Sequence, residues 1–201
     1  VNNYGGIKLD DPILATDLIE YHGQPVFVVV AETHGLARKA ARLAKYELDL
    51  RTPILSVDDA LAAKSYVLNP VVTGCGDAET ALARAPHRIS GKAAHGGQDH
   101  FYLEGHIAFA TPREDGQIDI HCSTQHPTEV QHIVARAMAK PDAMIRVECR
   151  RMGGGFGGKE SQPALFASLC AMAASRLGRT VKLRLDRDDD MIITGKRHPF
   201  Q

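Results

Sequence analysis

The sequence has no tryptophan, no net charge and no long apolar run. Lys plus Arg and Asp plus Glu number 24 each, so there is no overall field to attract nucleic acid or an anionic membrane surface. No stretch approaches the roughly 20 consecutive apolar residues that cross a bilayer, and the amino terminus lacks a secretory pattern. These absences predict a cytoplasmic protein with no nucleic-acid or membrane partner.

Two metal-binding patterns are also missing. The ten histidines include no His-Glu-x-x-His motif, which disfavours a metal hydrolase. The cysteines form no Cys-x-x-Cys pair, so this chain is not expected to bind an iron–sulfur cluster. They are predicted to be reduced core residues. The four are Cys75, Cys122, Cys149 and Cys170.

The first part of the chain has α/β patterning. Residues 24–31 form an apolar, β-branched run of strand length, and Thr33 can cap the alanine-rich helix that follows. A second strand is predicted at 46–50, and Ser56 can open a short helix to Ala63. We therefore expect one α/β unit up to about residue 70.

Pro70 and Gly74 interrupt this pattern and predict a domain boundary near residue 72. Beyond it, Asp115-Gly116 is a strong signal for a β-hairpin turn. The run Asp186–Asp190 is typical of a solvated helix start. The other predicted elements are strands at 106–112, 117–122, 145–150 and 181–185 and helices at 127–140 and about 161–177, the second one buried and ended by Gly178.

The loop Gly153-Gly154-Gly155-Phe156-Gly157-Gly158-Lys159-Glu160 lies between a predicted strand and that buried helix. Backbone amides at such a helix start attract anionic or electron-rich groups. A Gly-x-Gly-x-x-Gly spacing is embedded in the loop, but no acidic residue follows in a ribose-binding position. A structural turn, a nucleotide-binding loop and a loop for another cofactor therefore remain open.

Three side chains could have a function. Phe156 stands among five glycines, which predicts that the loop packs against something, and a buried cofactor would explain it. Glu160 is either a first-turn carboxylate beside the helix dipole or a group that points into the same pocket. Gln125 could simply cap the helix that starts at Pro127. Phe101 and Tyr102 are expected to be core aromatics.

The segment Arg150–Ser161, together with Cys122-Ser123-Thr124-Gln125, resembles the xanthine dehydrogenase (xanthine oxidase/aldehyde oxidase) family. Residues 100–106 and 186–200 are similar to stretches of that family's first molybdenum-binding domain. The resemblance implies a mixed α/β (α+β) fold that is a fragment of a longer protein. Residues 1–72 would be the C-terminal part of an α/β hammerhead domain, and residues 73–201 the N-terminal part of the molybdenum-cofactor-binding domain.

The resemblance also implies a molybdenum–molybdopterin cofactor, whose metal ligands come from the cofactor while the protein supplies the surrounding contacts. Gln125 matches the glutamine whose amide donates to the oxo group of the metal. Phe156 matches the position whose backbone approaches the cofactor, and Gly157 shares that loop. Glu160 matches a purine-binding glutamate, whereas related aldehyde oxidases usually have a non-acidic residue there.

The implied activity is that of a xanthine dehydrogenase, which oxidises hypoxanthine and xanthine to urate. The family's general-base glutamate lies beyond residue 201, as do its FAD and 2Fe-2S domains or subunits, so the fragment alone is expected to be inactive. A dimeric or heterotetrameric parent is implied. The alternatives are a hydroxylase for aldehydes or other N-heterocycles and, in another class, a non-catalytic nucleotide-binding or assembly module.

Overall fold

The alternating segments in the second half of the chain pair into one four-stranded sheet. The computed structural model describes all 201 residues and shows a mixed α/β fold, as predicted. None of its helices is both long and apolar enough to cross a membrane. The strands are Ile107–Pro112 (β1), Ile118–Cys122 (β2), Ile145–Glu148 (β3) and Val181–Arg184 (β4). The helices are His34–Ala41 (α1), Val57–Ala62 (α2), Ala78–Arg84 (α3), Pro127–Ala137 (α4), Gln162–Leu177 (α5) and Arg187–Ile193 (α6).

The sheet has the order β3-β2-β1-β4 and is mostly antiparallel. β1 pairs antiparallel with both β2 and β4, whereas β2 and β3 run parallel and are connected through α4. The predicted hairpin between β1 and β2 is confirmed. Asp115 and Gly116 both have positive φ, 54° and 77°, which the reversal of the chain requires.

Helices α4 and α5 contact each other and cover one face of the sheet. The strands alternate accordingly, because Ala108 and Ala110 of β1 and Ile118 and Ile120 of β2 are buried in the core. The expected burial of α5 is confirmed, and Gly178 ends it in the left-handed region at φ 62°. The sheet and α5 therefore form a rigid support for the loop that lies between them in sequence.

The prediction of strands at 24–31 and 46–50 is wrong. Neither segment has strand hydrogen bonding, and Val26, Phe27, Val28 and Val30 are all exposed. An apolar, β-branched run favours extended backbone, but a strand also requires a partner for its N–H and C=O groups. Pro25 O accepts from Ala15 N–H at 2.8 Å, but no ladder of such hydrogen bonds forms along either segment. The two predicted helix caps are confirmed. The Thr33 side chain accepts from Leu36 N–H, and the Ser56 side chain accepts from Asp59 N–H.

The chain divides into two compact units. The first comprises Val1–Lys45 and Asp99–Lys196 and contains the sheet, and the second comprises Tyr46–Gln98 and Arg197–Gln201. In the second unit, Asp77 caps helix α3, which has no counterpart among the predicted elements. Two isolated antiparallel bridges, His95 with Phe200 and Gln98 with Arg197, join its two segments.

The cysteine prediction is right for two residues of the four. Cys122 and Cys170 are buried and free, and burial raises the pKa of each thiol to about 12. Cys149 is half-buried, and Cys75 is exposed because it lies in an irregular segment outside the sheet. The two buried thiols therefore behave as small apolar core groups.

Candidate functional site

The glycine loop forms a tight turn between β3 and α5. Gly158 N–H donates to Gly155 O at 2.7 Å, so Phe156 and Gly157 are the two central residues of this turn. Their φ values, 54° and 87°, are both positive, which is the pattern of a type I′ turn. Gly157 adopts this conformation without penalty, whereas Phe156 is held in a region that bulky residues rarely occupy.

Phe156 does not pack within the chain, and the expectation that the loop packs against a cofactor stays a prediction. Its side chain is 75 % exposed, although it sits in a strained backbone conformation. Strained residues of this kind concentrate at binding and active sites. The exposed Phe156 ring is therefore accessible to a group that binds beside the loop.

Gln125 is held against the loop by its own amide oxygen. Oε1 of Gln125 accepts from Gly157 N–H at 3.0 Å and from Lys159 N–H at 3.3 Å. The Gln125 backbone N–H donates to Lys159 O at 2.8 Å. Because two donors face the amide oxygen, the amide nitrogen must point away from them. Gln125 therefore presents a neutral N–H donor in a fixed direction.

Gln125 does not cap helix α4, so that alternative is wrong. The N-cap is His126, which makes no side-chain capping hydrogen bond, and Pro127 begins the helix. Pro127 needs no donor partner at this position because it has no N–H. The Gln125 side chain also lines an open depression of about 600 Å³ together with His126, Glu129 and Arg136.

Close approaches explain three of the loop glycines. A Cβ on Gly155 would lie 2.5 Å from Gln125 Oε1, and one on Gly153 would lie 2.6 Å from Glu104 Cβ. A Cβ on Gly158 would lie 2.7 Å from the His100 ring. At these three positions the missing side chain leaves room for a neighbouring protein side chain.

Gly157 is different, because a Cβ there would meet no atom closer than 3.9 Å. The two nearest atoms, both at that distance, are Oε1 of Glu160 and Nε2 of His100. Glu160 is exposed and lies one residue before the N-cap Ser161, so it is not in the first turn of α5. Gly157, Glu160 and His100 are therefore neighbours at the turn, and a Cβ on Gly157 would make only ordinary van der Waals contacts with them.

Behind the loop lies a buried cation that the sequence patterns did not reveal. Lys159 is fully buried, and its Nζ donates to Ser123 Oγ at 2.9 Å and lies 3.5 Å from Glu104 Oε2. Its ammonium also lies 4.7 Å from the centre of the Tyr102 ring. Burial lowers the pKa of Lys159, and the neighbouring Glu104 carboxylate opposes that shift.

A second buried network lies under helix α6. Asp190 is 2 % exposed, which contradicts the prediction that the whole acidic run is solvated. Its carboxylate accepts from Tyr102 O–H at 2.7 Å and from the His106 N–H. Burial raises the pKa of Asp190, but the hydrogen bonds from His106 and Tyr102 outweigh it and the net pKa is well below its ordinary value. Tyr102 is a core aromatic as expected, whereas Phe101 is 70 % exposed.

The four predicted site residues lie together. The Gln125 side chain accepts a hydrogen bond from Gly157 N–H, and Phe156 precedes Gly157 in the turn. The Glu160 carboxylate lies beside Gly157. Sequence patterns missed His100, Glu104, Ser123 and Lys159, although each lies within a segment that resembles the family. No group of three or more His, Cys, Asp or Glu residues is arranged to hold a metal ion.

Substitution of Gly155 by alanine tests this packing. The new Cβ would collide with Gln125, so we expect the unfolding free energy to fall by about 1–3 kcal/mol. Hydrogen exchange of the Gly157 and Lys159 amides should become faster. The matched control is Gly35→Ala in α1, where nothing lies within 4 Å, and it should leave both measurements unchanged or raise stability slightly. Equal effects from the two variants would contradict the packing argument.

Comparison with known families defines the class of this site. Residues 62–201 match the family model of the molybdopterin cofactor-binding domain. Residues 1–51 match the aldehyde oxidase and xanthine dehydrogenase a/b hammerhead domain. The chain therefore belongs to the aldehyde oxidase and xanthine dehydrogenase family, with its hammerhead and cofactor-binding regions in the predicted order.

Individual relatives agree with this assignment. The chain is 40 % identical over 201 residues to xanthine dehydrogenase of Calliphora vicina, covering 99 % of this chain and 15 % of that protein. It is 40 % identical over 194 residues to aldehyde oxidase 2 of Rattus norvegicus, covering 95 % of this chain and 14 % of the relative. The chain thus spans about 15 % of the length of the curated relatives it matches.

The solved structure of aldehyde oxidoreductase from Desulfovibrio gigas has the same fold. It superimposes with a TM-score of 0.80 at 27 % identity, covering 98 % of this chain and 22 % of that one. None of these matches supports the nucleotide-binding alternative. The resemblance based on the loop and on Cys122–Gln125 is confirmed at the level of the family.

Proposed function

We propose that the chain is part of a molybdenum hydroxylase that oxidises hypoxanthine and xanthine. We call the proposed longer protein the parent enzyme. The observation that carries the proposal is the rigid amide of Gln125, which faces away from the glycine loop beside the strained Phe156 turn. A neutral donor fixed in this way suits an electron-rich oxygen or sulfur group better than a cation.

The residues at the loop fit a molybdopterin cofactor. Gln125 would donate its amide N–H, and the exposed turn at Phe156 and Gly157 would bring backbone atoms close to the group. A bound molybdenum cofactor would supply the oxidising centre for hydroxylation. In this proposal Gln125, Phe156 and Gly157 orient the cofactor, and none of them is a direct metal ligand.

Glu160 would bind the substrate. It is exposed and its carboxylate lies beside Gly157, so a heterocycle bound at this surface could donate an N–H to it. A carboxylate in this position would accept that N–H and hold the heterocycle in one orientation for hydroxylation. An aldehyde has no such group to offer.

The remaining parts of the active centre would come from elsewhere in the parent enzyme. The general-base glutamate, the FAD and the 2Fe-2S clusters belong to other domains or subunits in this proposal. We also propose a cytoplasmic location, a dimeric or heterotetrameric assembly, and a domain boundary near residue 72. The 201-residue chain by itself would then show no turnover.

Metal and cofactor analysis of the parent enzyme tests this function. Purified active enzyme should contain molybdenum and pterin and should oxidise hypoxanthine and xanthine. Steady-state kinetics with both purines and a simple aldehyde should give a higher kcat/KM for the purines. Active enzyme without molybdenum or pterin would contradict the proposal.

An aldehyde or another N-heterocycle is the second candidate substrate class. It is favoured by the similarity to aldehyde oxidase 2 and to the Desulfovibrio gigas aldehyde oxidoreductase. The structure of quinoline 2-oxidoreductase from Pseudomonas putida 86 also matches, at 25 % identity and a TM-score of 0.79. The same kinetic comparison decides between the classes, since a higher kcat/KM for the aldehyde would select this alternative.

A further inference from the structure

Both ends of the glycine loop are tied to one buried hydroxyl. At the end of the loop, Lys159 Nζ donates to Ser123 Oγ at 2.9 Å. Ser123 in turn donates to Glu104 Oε2 at 2.9 Å, and the same oxygen accepts from Gly153 N–H at 2.6 Å, at the beginning of the loop. The hydroxyl of Ser123 therefore links the Lys159 side chain to Glu104, which binds the beginning of the loop at the Gly153 backbone N–H.

The same hydroxyl lies two residues before Gln125. Between them, Thr124 Oγ1 donates to Lys159 O at 3.3 Å, and Gln125 N–H donates to the same carbonyl at 2.8 Å. Ser123 and Thr124 are both 3 % exposed. A movement of Lys159 would therefore shift the backbone groups that fix the direction of the Gln125 amide.

The two charges in this network, on Lys159 and Glu104, stabilise each other. A fully buried ammonium is costly unless it is paired and hydrogen-bonded, and Lys159 has both Ser123 and Glu104 as partners. Burial raises the pKa of Glu104. The Gly153 N–H, the Ser123 hydroxyl and Lys159 lower it by more, so the net pKa of this carboxyl is below its ordinary value. Loss of any member leaves a charged neighbour with fewer partners.

We propose that Ser123, Lys159 and Glu104 form a positioning network that holds the loop and Gln125 in the geometry the bound cofactor requires. The proposal rests on the proposed function, but it concerns residues that contact neither cofactor nor substrate. Partners of this kind around metal centres typically change activity or metal affinity by about 10–100-fold when they are removed.

The test compares two buried serines in the parent enzyme. Ser123→Ala removes the central hydroxyl without changing any charge. Ser168→Ala in α5 is the matched control, because Ser168 is 0 % exposed and its hydroxyl has no hydrogen-bond partner. For Ser123→Ala we expect turnover per bound molybdenum to fall roughly 10–100-fold, with a smaller change in KM. The electron paramagnetic resonance spectrum of the reduced metal should also change, and Ser168→Ala should change none of these.

Hydrogen exchange over residues 153–160 provides a readout independent of activity. In cofactor-free enzyme, exchange of this segment should be faster in Ser123→Ala and unchanged in Ser168→Ala. A lower melting temperature with wild-type turnover per molybdenum and wild-type spectrum would show a merely structural role and overturn the proposal. If the wild-type enzyme contained no molybdenum, the proposed function would fail, whereas the exchange data would still show whether the network fixes the loop.

Discussion

Replacement of Asp190 by alanine will lower the free energy of unfolding by about 2–5 kcal/mol. The change removes the acceptor of the buried His106 backbone N–H and of the Tyr102 hydroxyl, which retains only His106 Nδ1 and Thr194 Oγ1 as hydrogen-bond partners. A buried donor left without a partner costs about 1–3 kcal/mol. The loss cannot be relieved by water unless the surrounding core opens, since Tyr102 and His106 are 2 % and 0 % exposed.

The neighbouring Asp188 provides the matched control for this variant. It lies in the same first turn of α6 but is exposed, so Asp188→Ala should change stability by no more than about 0.5 kcal/mol. Thermal melting of the parent enzyme and hydrogen exchange of β1 and α6 measure both variants. Equal stability of the two would mean that Asp190 is not the buried acceptor that the structure shows.

The same carboxyl also gives a pH dependence with a definite sign. Its pKa is lower in the folded chain than the ordinary value of about 3.9, so below that value the unfolded state binds more protons than the native one. The stabilisation by Asp190 is therefore fully present above about pH 5 and is lost as pH falls towards the native pKa. Asp190→Asn should make the melting temperature less sensitive to acid.

Local patterns predicted the hairpin and the buried helix because neighbouring residues determine both. Asp115-Gly116 supplies the two positive φ values of its turn, and Gly178 supplies the one that ends α5. Strands 24–31 and 46–50 could not be excluded in this way. Their formation depends on a distant partner, which no window of the sequence reports.

The candidate site also contains features that the sequence predicted and features that it did not. The resemblance assigned Gln125, Phe156, Gly157 and Glu160 to one site, and the fold brings these residues together. The burial of Lys159 and Asp190 was not expected, because each looks like an ordinary surface charge within its local segment. Only the fold places Glu104 and Ser123 beside Lys159, and Tyr102 and His106 beside Asp190.

Within the proposed function, Glu160→Gln will lower kcat/KM for xanthine by about 100- to 1000-fold. The substitution keeps the shape of the side chain and removes the charged acceptor for the N–H groups of the heterocycle, and loss of one such hydrogen-bonding group typically has an effect of this size. Since Glu160 is exposed, the melting temperature of the parent enzyme should not change. Turnover of a simple aldehyde should be much less affected.

The control and the comparison substrate make this result specific. Glu114→Gln changes an equally charged, exposed residue in the hairpin turn between β1 and β2 and should leave both activities at the wild-type level. An equal loss of purine and aldehyde turnover in Glu160→Gln would place Glu160 in the general machinery of the site. Unchanged purine kinetics would remove it from the substrate site altogether. A selective loss would show that the Glu160 carboxylate distinguishes a heterocycle from an aldehyde, because only the heterocycle has N–H groups that can donate to it.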